Sequence, residues 1–192
     1  MNTDELMAVL EQRGAVMHGH FQLSSGRHSD LFVQKFRVLE DPEVTSQMGK
    51  SLADAFTGKF ELVASPAVGA LVLGFSTALA AHTKFVFAER ADSRLAFRRG
   101  FTIPEGTDVL VVEDVITTGG SAREVVDLVR EYGGNPIGVG ALLDRADAAR
   151  TEPLGAPLVS LVTLEAQSWT PEDCPLCSSG APLEDPGSRR LS

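Results

Sequence analysis

Short apolar runs alternate with amphipathic stretches along most of the chain. Five of these runs have the length and the composition that are typical of buried β-strands. They lie at residues 61–64, 84–87, 108–112, 137–143 and 158–164. Between them, apolar residues recur at helical intervals or fill a whole stretch, which predicts helices. The predicted helices cover residues 4–13, 42–55, 70–81 and 123–132, and residues 21–35 are predicted to be extended.

Strands that alternate with helices predict an α/β fold with a doubly wound, mainly parallel sheet. Ligands of such a sheet bind beyond the carboxyl ends of its strands. The 192 residues suit one domain, which we expect to span residues 1–165. Residues 166–192 are rich in Pro, Ser and Gly and are predicted to form an irregular tail. Four polar residues stand at the ends of predicted strands, namely Ser65, Glu89, Glu113 and Asp144.

Two acids and a glycine-rich loop follow the strand predicted over 108–112. Backbone N–H groups in such a loop, with a helix N-terminus behind them, can hold a phosphate, and Gly119 and Gly120 let the backbone come close. Carboxylates repel a phosphate, so we expect Glu113 and Asp114 to bind ribose hydroxyls or to sit near a Mg²⁺ ion. The loop has neither the Walker A lysine nor the dinucleotide glycine pattern, and an ordinary strand-to-helix turn is the alternative.

This segment resembles the phosphoribosyl-diphosphate (PRPP) binding motif of the type I phosphoribosyltransferases. The shared pattern is an apolar strand, two acids, two apolar residues, then Thr and Gly. The resemblance implies that family's fold, with residues 1–40 forming an N-terminal hood over the sheet. It also implies a Mg²⁺ cofactor held mainly by the substrate, so no set of metal-binding side chains is expected. The PRPP contacts that it implies are Lys35, Ser65, Arg90, Glu113, Asp114, Val115, Ile116, Thr117, Thr118, Gly119, Gly120 and Ser121.

Two further segments resemble the orotate phosphoribosyltransferases within that family. One is Ser25–Arg27 after an extended strand, and the other is Leu142–Arg145, which matches a Leu-Asp-Arg motif. The arginine of that motif meets the orotate carboxylate, a contact that suits a planar guanidinium. The resemblance covers residues 1–165 and implies that phosphoribosyl passes from PRPP to orotate, giving orotidine 5′-monophosphate and diphosphate in pyrimidine biosynthesis. The orotate contacts that we expect are Phe32, Val33, Thr117 and Arg145.

Residues 89–100 hold four arginines and show no firm apolar period, which predicts a long mobile lid that closes on a polyanion. In the family this lid reaches the neighbouring subunit's active site, so the resemblance implies a homodimer with shared lids. Arg90 matches the family's first lid cation, and Arg94 loosely matches a later lysine. With Asp114 they are the expected catalytic residues. A solvated basic hairpin is the alternative reading of this stretch.

The net charge of −9 argues against general nucleic-acid binding. No apolar run reaches the roughly 18 residues of a membrane span. The acidic N-terminus does not resemble a targeting segment. We therefore expect a cytoplasmic protein with no membrane or nucleic-acid partner. Two functions stay open beside the orotate reaction: a PRPP-dependent transferase for another base, and a regulator of the same fold that binds PRPP or a nucleotide.

The chain has two cysteines, Cys174 and Cys177, in one C-x-x-C pair within the predicted tail. Such a pair supplies only two ligands, whereas a structural zinc ion usually takes four. Free thiols are one interpretation, and a zinc site completed by a second chain's pair or by a distant histidine is another. The spacing of the four histidines indicates no metal site by itself, and His28 is a further candidate for substrate contact.

Overall fold

A six-stranded sheet forms the centre of the protein, and a smaller three-stranded sheet lies at its ligand-binding edge. The computed structural model describes residues 2–23, 25–92, 94–145 and 152–186. The strands are β1 (Val16–Gln22), β2 (His28–Val33), β3 (Leu62–Pro66), β4 (Lys84–Ala91), β5 (Arg94–Phe97), β6 (Asp108–Ile116), β7 (Asn135–Asp144), β8 (Leu158–Thr163) and β9 (Ser168–Trp169).

Six helices accompany these strands in the described residues. They are α1 (Thr3–Gln12), α2 (Phe36–Leu39), α3 (Pro42–Ala55), α4 (Leu71–Ala81), α5 (Gly120–Glu131) and α6 (Pro175–Ser178). None of the helices that the structure describes is both long enough and apolar enough to cross a bilayer. The cytoplasmic location stays a prediction from the sequence.

The large sheet has the strand order β5-β4-β3-β6-β7-β8. All neighbouring strands run parallel except β5, which is antiparallel to β4. From β3 the chain adds β4 on one side, and it then returns to add β6, β7 and β8 on the other side. The order therefore reverses between β3 and β6, where ligands of doubly wound sheets bind. The predicted fold class is confirmed.

Strand β6 shows why the sheet is covered on both faces. Val109 and Val111 pack in the cluster that includes α5, whereas Leu110 and Val112 pack in the cluster that includes α3 and α4. All four side chains are fully buried. A strand that is buried on both faces shows a continuous apolar run rather than alternation, as the sequence does here.

Strands β1, β2 and β9 form the antiparallel sheet of the hood. The tail supplies β9, so its described part is less irregular than expected. Further along, the Glu184 N–H donates to the His20 carbonyl, and the Gln22 N–H donates to the Glu184 carbonyl. The described tail is thus attached to the hood. The division at residue 165 stays a prediction, and the part of the predicted tail at 187–192 lies outside the described residues.

The structure differs from two expectations at the ligand-binding edge. Strand β6 continues to Ile116, four residues beyond its predicted end, because β7 pairs with it as far as the Ile116–Asp144 register. Glu113 and Asp114 therefore lie within the strand and not after it. The predicted lid is also not a loop at its start, because β4 and β5 pair as a hairpin that buries Leu95 and Phe97.

Candidate active site

The loop between β6 and α5 borders a cavity of about 370 Å³. Helix α5 begins directly after Gly119, whose φ of 77° lies in the left-handed region that favours glycine. The helix N-terminus and the preceding loop thus border the cavity, and the binding of a phosphate there stays a prediction. The cavity is lined by Arg90, Glu113, Val115, Ile116, Thr117, Thr118, Gly119, Gly120, Ser121, Ala122 and Glu124.

The two acids of β6 are buried beside this cavity. The Asp114 N–H donates to Glu113 Oε1 at 3.0 Å, and the Val115 N–H donates to Asp114 Oδ1 at 2.6 Å. Burial, followed by the negative charge of Asp114, raises the pKa of Glu113 to about 8. In the ligand-free protein Glu113 therefore holds a proton at neutral pH and can donate a hydrogen bond.

Lys35 of the hood forms an ion pair with the buried carboxylate of Asp114. This contact joins the hood to the large sheet at the edge where ligands bind. Gly69 lies against the same pair, because a Cβ atom at this position would collide with the Asp114 carboxylate and the Lys35 ammonium. Gly69 was not among the residues predicted from the sequence, because a single glycine in a turn does not show which side chains it approaches.

Ser65 is the one predicted PRPP contact that borders neither cavity. Its side chain is fully buried, and it lies close to Gly74 of α4. The loop that follows β3 reaches the ligand-binding edge instead, through Ala67, Val68 and Gly69. The predicted contact of Ser65 with PRPP stays a prediction without support from the cavity lining.

A larger cleft of about 1320 Å³ opens between the hood and the carboxyl ends of β3, β6 and β7. Its wall includes two residues at the end of the described tail, Asp185 and Pro186. The cleft brings together predicted residues that lie far apart in the sequence. These are Phe32, Val33, Lys35, Glu113, Asp114, Val115, Thr117, Thr118, Ser121 and Arg145.

Arg145 is held between the large sheet and the hood. Its N–H donates to the Ile116 carbonyl at 2.9 Å, and its Nη2 donates to Ser29 Oγ at 3.0 Å. Ser29 Oγ donates in turn to the Gln167 carbonyl at 2.8 Å. The guanidinium is therefore fixed in place before any ligand arrives. Sequence reasoning missed Ser29, because a serine in a short strand carries no signal of such a role.

The arginines of the β4–β5 hairpin occupy different positions. Arg90 lines the smaller cavity and binds both carboxylate oxygens of Glu124, at 3.2 and 2.9 Å. Arg94 binds Glu131 at 3.2 Å, its side chain is 75% exposed, and it lines neither cavity of its own chain. Only the first of the two predicted lid residues is therefore near the site of the same chain.

Comparison with known proteins shows the family of this chain. The family model of the phosphoribosyl transferase domain matches residues 45–176. The orotate phosphoribosyltransferase of Thermotoga maritima is 44% identical over 184 residues, which are 95% of this chain and 97% of that protein. That of Pelotomaculum thermopropionicum is 43% identical over 192 residues, the full length of both chains.

A solved structure gives the same result. The orotate phosphoribosyltransferase from Aeropyrum pernix has a TM-score of 0.72 and 30% sequence identity, covering 83% of this chain and 94% of that one. The chain therefore belongs to the phosphoribosyltransferase family and, within it, to the orotate phosphoribosyltransferases.

Proposed function

We propose that this enzyme transfers the phosphoribosyl group of PRPP to orotate and releases diphosphate. One observation carries the proposal: the cleft holds a fixed guanidinium, Arg145, close to a phosphate-binding loop and to buried acids. Orotate N1 forms a bond to the anomeric carbon of ribose, and the bond from that carbon to the diphosphate oxygen breaks. Diphosphate leaves with the electron pair.

PRPP is proposed to lie along the carboxyl end of β6. The loop N–H groups and the hydroxyls of Thr117, Thr118 and Ser121 bind its 5′-phosphate. Glu113 and Asp114 bind the ribose hydroxyls, Glu113 being able to donate as well as accept. Arg90 lines the smaller cavity and Lys35 lines the larger cleft, and both cations are proposed to bind the diphosphate.

Orotate is proposed to enter the larger cleft with its carboxylate on Arg145. A bidentate guanidinium–carboxylate contact favours an anionic pyrimidine over a neutral purine. Phe32, Val33 and Thr117 line the same cleft and are proposed to contact the base. The transition state carries positive charge on the ribose ring, and the fixed carboxylate of Asp114 is placed to stabilise it.

Mg²⁺ is proposed to be held mainly by PRPP oxygens and water. The described residues fit this arrangement, because Asp114 is already paired with Lys35 and Glu124 of the smaller cavity with Arg90, which leaves few carboxylate oxygens for a metal ion. Mg²⁺ commonly binds through one or two carboxylates plus substrate phosphates. When bound, the ion neutralises part of the charge on the departing diphosphate.

A homodimer is proposed on the basis of an exposed apolar stripe on α4. Val72, Phe75 and Leu79 lie at helical spacing and are 48%, 57% and 61% exposed. A contiguous apolar patch of this kind marks a protein–protein interface. Light scattering should give the mass of two chains for the wild type and of one chain for Phe75→Asp.

Ultraviolet absorbance tests the reaction, because orotate loses its absorbance band when it is converted to the nucleotide. We expect orotate consumption with PRPP and Mg²⁺, and none when either is omitted. Consumption of a purine base in place of orotate would favour a transferase for another base. PRPP binding without turnover of any base would favour a regulator of the same fold.

A further inference from the structure

Four potential metal ligands meet between the hood and the tail, away from the PRPP loop. They are His20 of β1, His28 of β2, and the two cysteines that flank the start of α6, Cys174 and Cys177. One ligand atom from each residue lies within 4.8 Å of the other three. Both sulfurs are free thiols and not a disulfide. Two histidines of the same chain therefore lie beside the cysteine pair and could complete a four-ligand site.

The distances within the cluster are close to those of a tetrahedral zinc ion, and two of them are slightly shorter. His20 Nε2 lies 3.1 Å from His28 Nδ1, 3.4 Å from Cys174 Sγ and 3.6 Å from Cys177 Sγ. Cys177 Sγ lies 3.2 Å from His28 Nδ1. Tetrahedral zinc with Zn–N of about 2.0–2.1 Å and Zn–S of about 2.3 Å separates its ligand atoms by about 3.3–3.8 Å.

The imidazole of His20 is oriented for metal binding. Its Nδ1 lies 2.9 Å from the Ala181 carbonyl, which can only accept a hydrogen bond. Nδ1 therefore carries the proton, and the lone pair of Nε2 in the neutral ring points at the other three ligand atoms. A carbonyl that fixes the tautomer of a ligating histidine is the usual second partner at a zinc site.

We propose that His20, His28, Cys174 and Cys177 bind one structural Zn²⁺ ion. Two thiolates and two imidazoles are a soft, tetrahedral donor set, which favours zinc over Mg²⁺ or Ca²⁺. All four positions are taken by protein side chains, so the ion has no open site for a substrate and plays a structural part. This site is separate from the Mg²⁺ proposed at PRPP.

The ion would fasten the tail to the hood beside the orotate cleft. His28 precedes Ser29, whose hydroxyl holds Arg145. On the tail, Glu184 pairs with the backbone of β1, and the next two residues line the cleft. Zinc binding thus stabilises the two segments that border the base-binding side of the cleft.

Metal content tests the proposal without reference to activity. Purified full-length chain should contain one zinc per chain by mass spectrometry, and Co²⁺ in its place should give the visible bands of a tetrahedral site and a thiolate charge-transfer band. Cys174→Ser and His20→Asn should each weaken Zn²⁺ binding by about 100-fold or more. The matched control is His18→Asn, an exposed histidine of the same strand, which should keep full zinc content.

A second measurement uses only the wild-type chain, in case the variants fail to fold. The chain is stripped with a chelator, checked by circular dichroism, and treated with a thiol reagent before and after zinc is returned. Both cysteines should react in the stripped chain and be protected once zinc is bound. Equal reaction rates with and without zinc would overturn the proposal, as would full zinc content in Cys174→Ser and His20→Asn.

Discussion

Lys35 and Asp114 form an ion pair that joins the hood to the large sheet. The Asp114 side chain is 5% exposed, and that of Lys35 is 28% exposed. A buried carboxylate is costly without a cation, so the lysine compensates for the burial of this acid at the place proposed for the ribose. The same lysine lies where the proposed diphosphate would add negative charge.

The first prediction concerns Lys35→Met. PRPP affinity should fall by about tenfold or more, because a cation next to the diphosphate is lost. Stability should also fall by about 1–3 kcal/mol, less than for a fully buried pair, since Asp114 loses its partner. Calorimetry with Mg²⁺ and urea unfolding measure the two effects. Lys50→Met removes an exposed lysine that pairs with Asp54 and should change neither.

The second prediction concerns the base. Arg145→Ala should weaken orotate use by about 100-fold, because a charged bidentate contact is lost, while PRPP affinity changes little. Ser29→Ala should have a smaller effect in the same direction, since it leaves the guanidinium present but less firmly held. Steady-state kinetics measure both. Arg130→Ala, which removes an exposed ion pair with Asp127, is the control. Wild-type orotate kinetics in Arg145→Ala would refute the assignment.

The third prediction concerns Glu113 and pH. The pKa of Glu113 is raised from 4.5 to about 8 in the folded protein. Between pH 4.5 and pH 8, Glu113 is more protonated in the folded chain than in the unfolded chain. The free energy of unfolding therefore falls as the pH rises through this range. Glu113→Gln mimics the protonated acid and removes that loss.

Melting temperatures without PRPP at pH 5 and pH 8.5 test this relationship. Relative to Glu113→Gln, the wild type should lose on the order of 2–4 kcal/mol across that range. The loss should be complete just above pH 8 and absent below about pH 4.5. The exposed Glu11→Gln should follow the wild type. Parallel curves for the wild type and Glu113→Gln would mean that Glu113 ionises normally in the folded protein.

The sheet and the phosphate loop could be predicted because their signals are local. A continuous apolar run such as Val109–Val112 indicates a strand buried on both faces. The end of β6 could not be predicted, since pairing with β7 extends it to Ile116. The β4–β5 hairpin corresponds to the alternative reading of residues 89–100, but its burial of Leu95 and Phe97 was not expected.

Contacts between residues that lie far apart in the sequence could not be predicted from it. Arg145 could be matched to a motif, but its partner Ser29 lies 116 residues earlier. Likewise, 149 residues separate Cys177 from His28. Such pairs arise from the way the hood and the tail fold over the sheet, and a single sequence carries no periodic signal for them.

The fourth prediction concerns Arg94, which lines neither of the two cavities described above. If the hairpin contributes to the partner subunit's active site, Arg94→Ala should lower turnover by about tenfold or more. The melting temperature should stay nearly unchanged, because an exposed arginine adds little to folding. Enzyme kinetics and thermal unfolding separate these effects. A loss of stability equal to the loss of activity would indicate a structural residue.

Mixed dimers show whether Arg94 acts in the active site of its own subunit or in that of the partner subunit. A heterodimer of Arg94→Ala and Asp114→Ala chains has one intact site if the lid crosses, because Asp114 then comes from one chain and Arg94 from the other. Part of the activity should return on mixing, once subunit exchange has been demonstrated. Mixing Arg94→Ala with an Arg94→Ala/Asp114→Ala double variant should restore nothing, since no chain supplies the arginine. If the first mixture also gains no activity, the lid acts on its own chain, and the dimer is then supported only by the apolar stripe on α4.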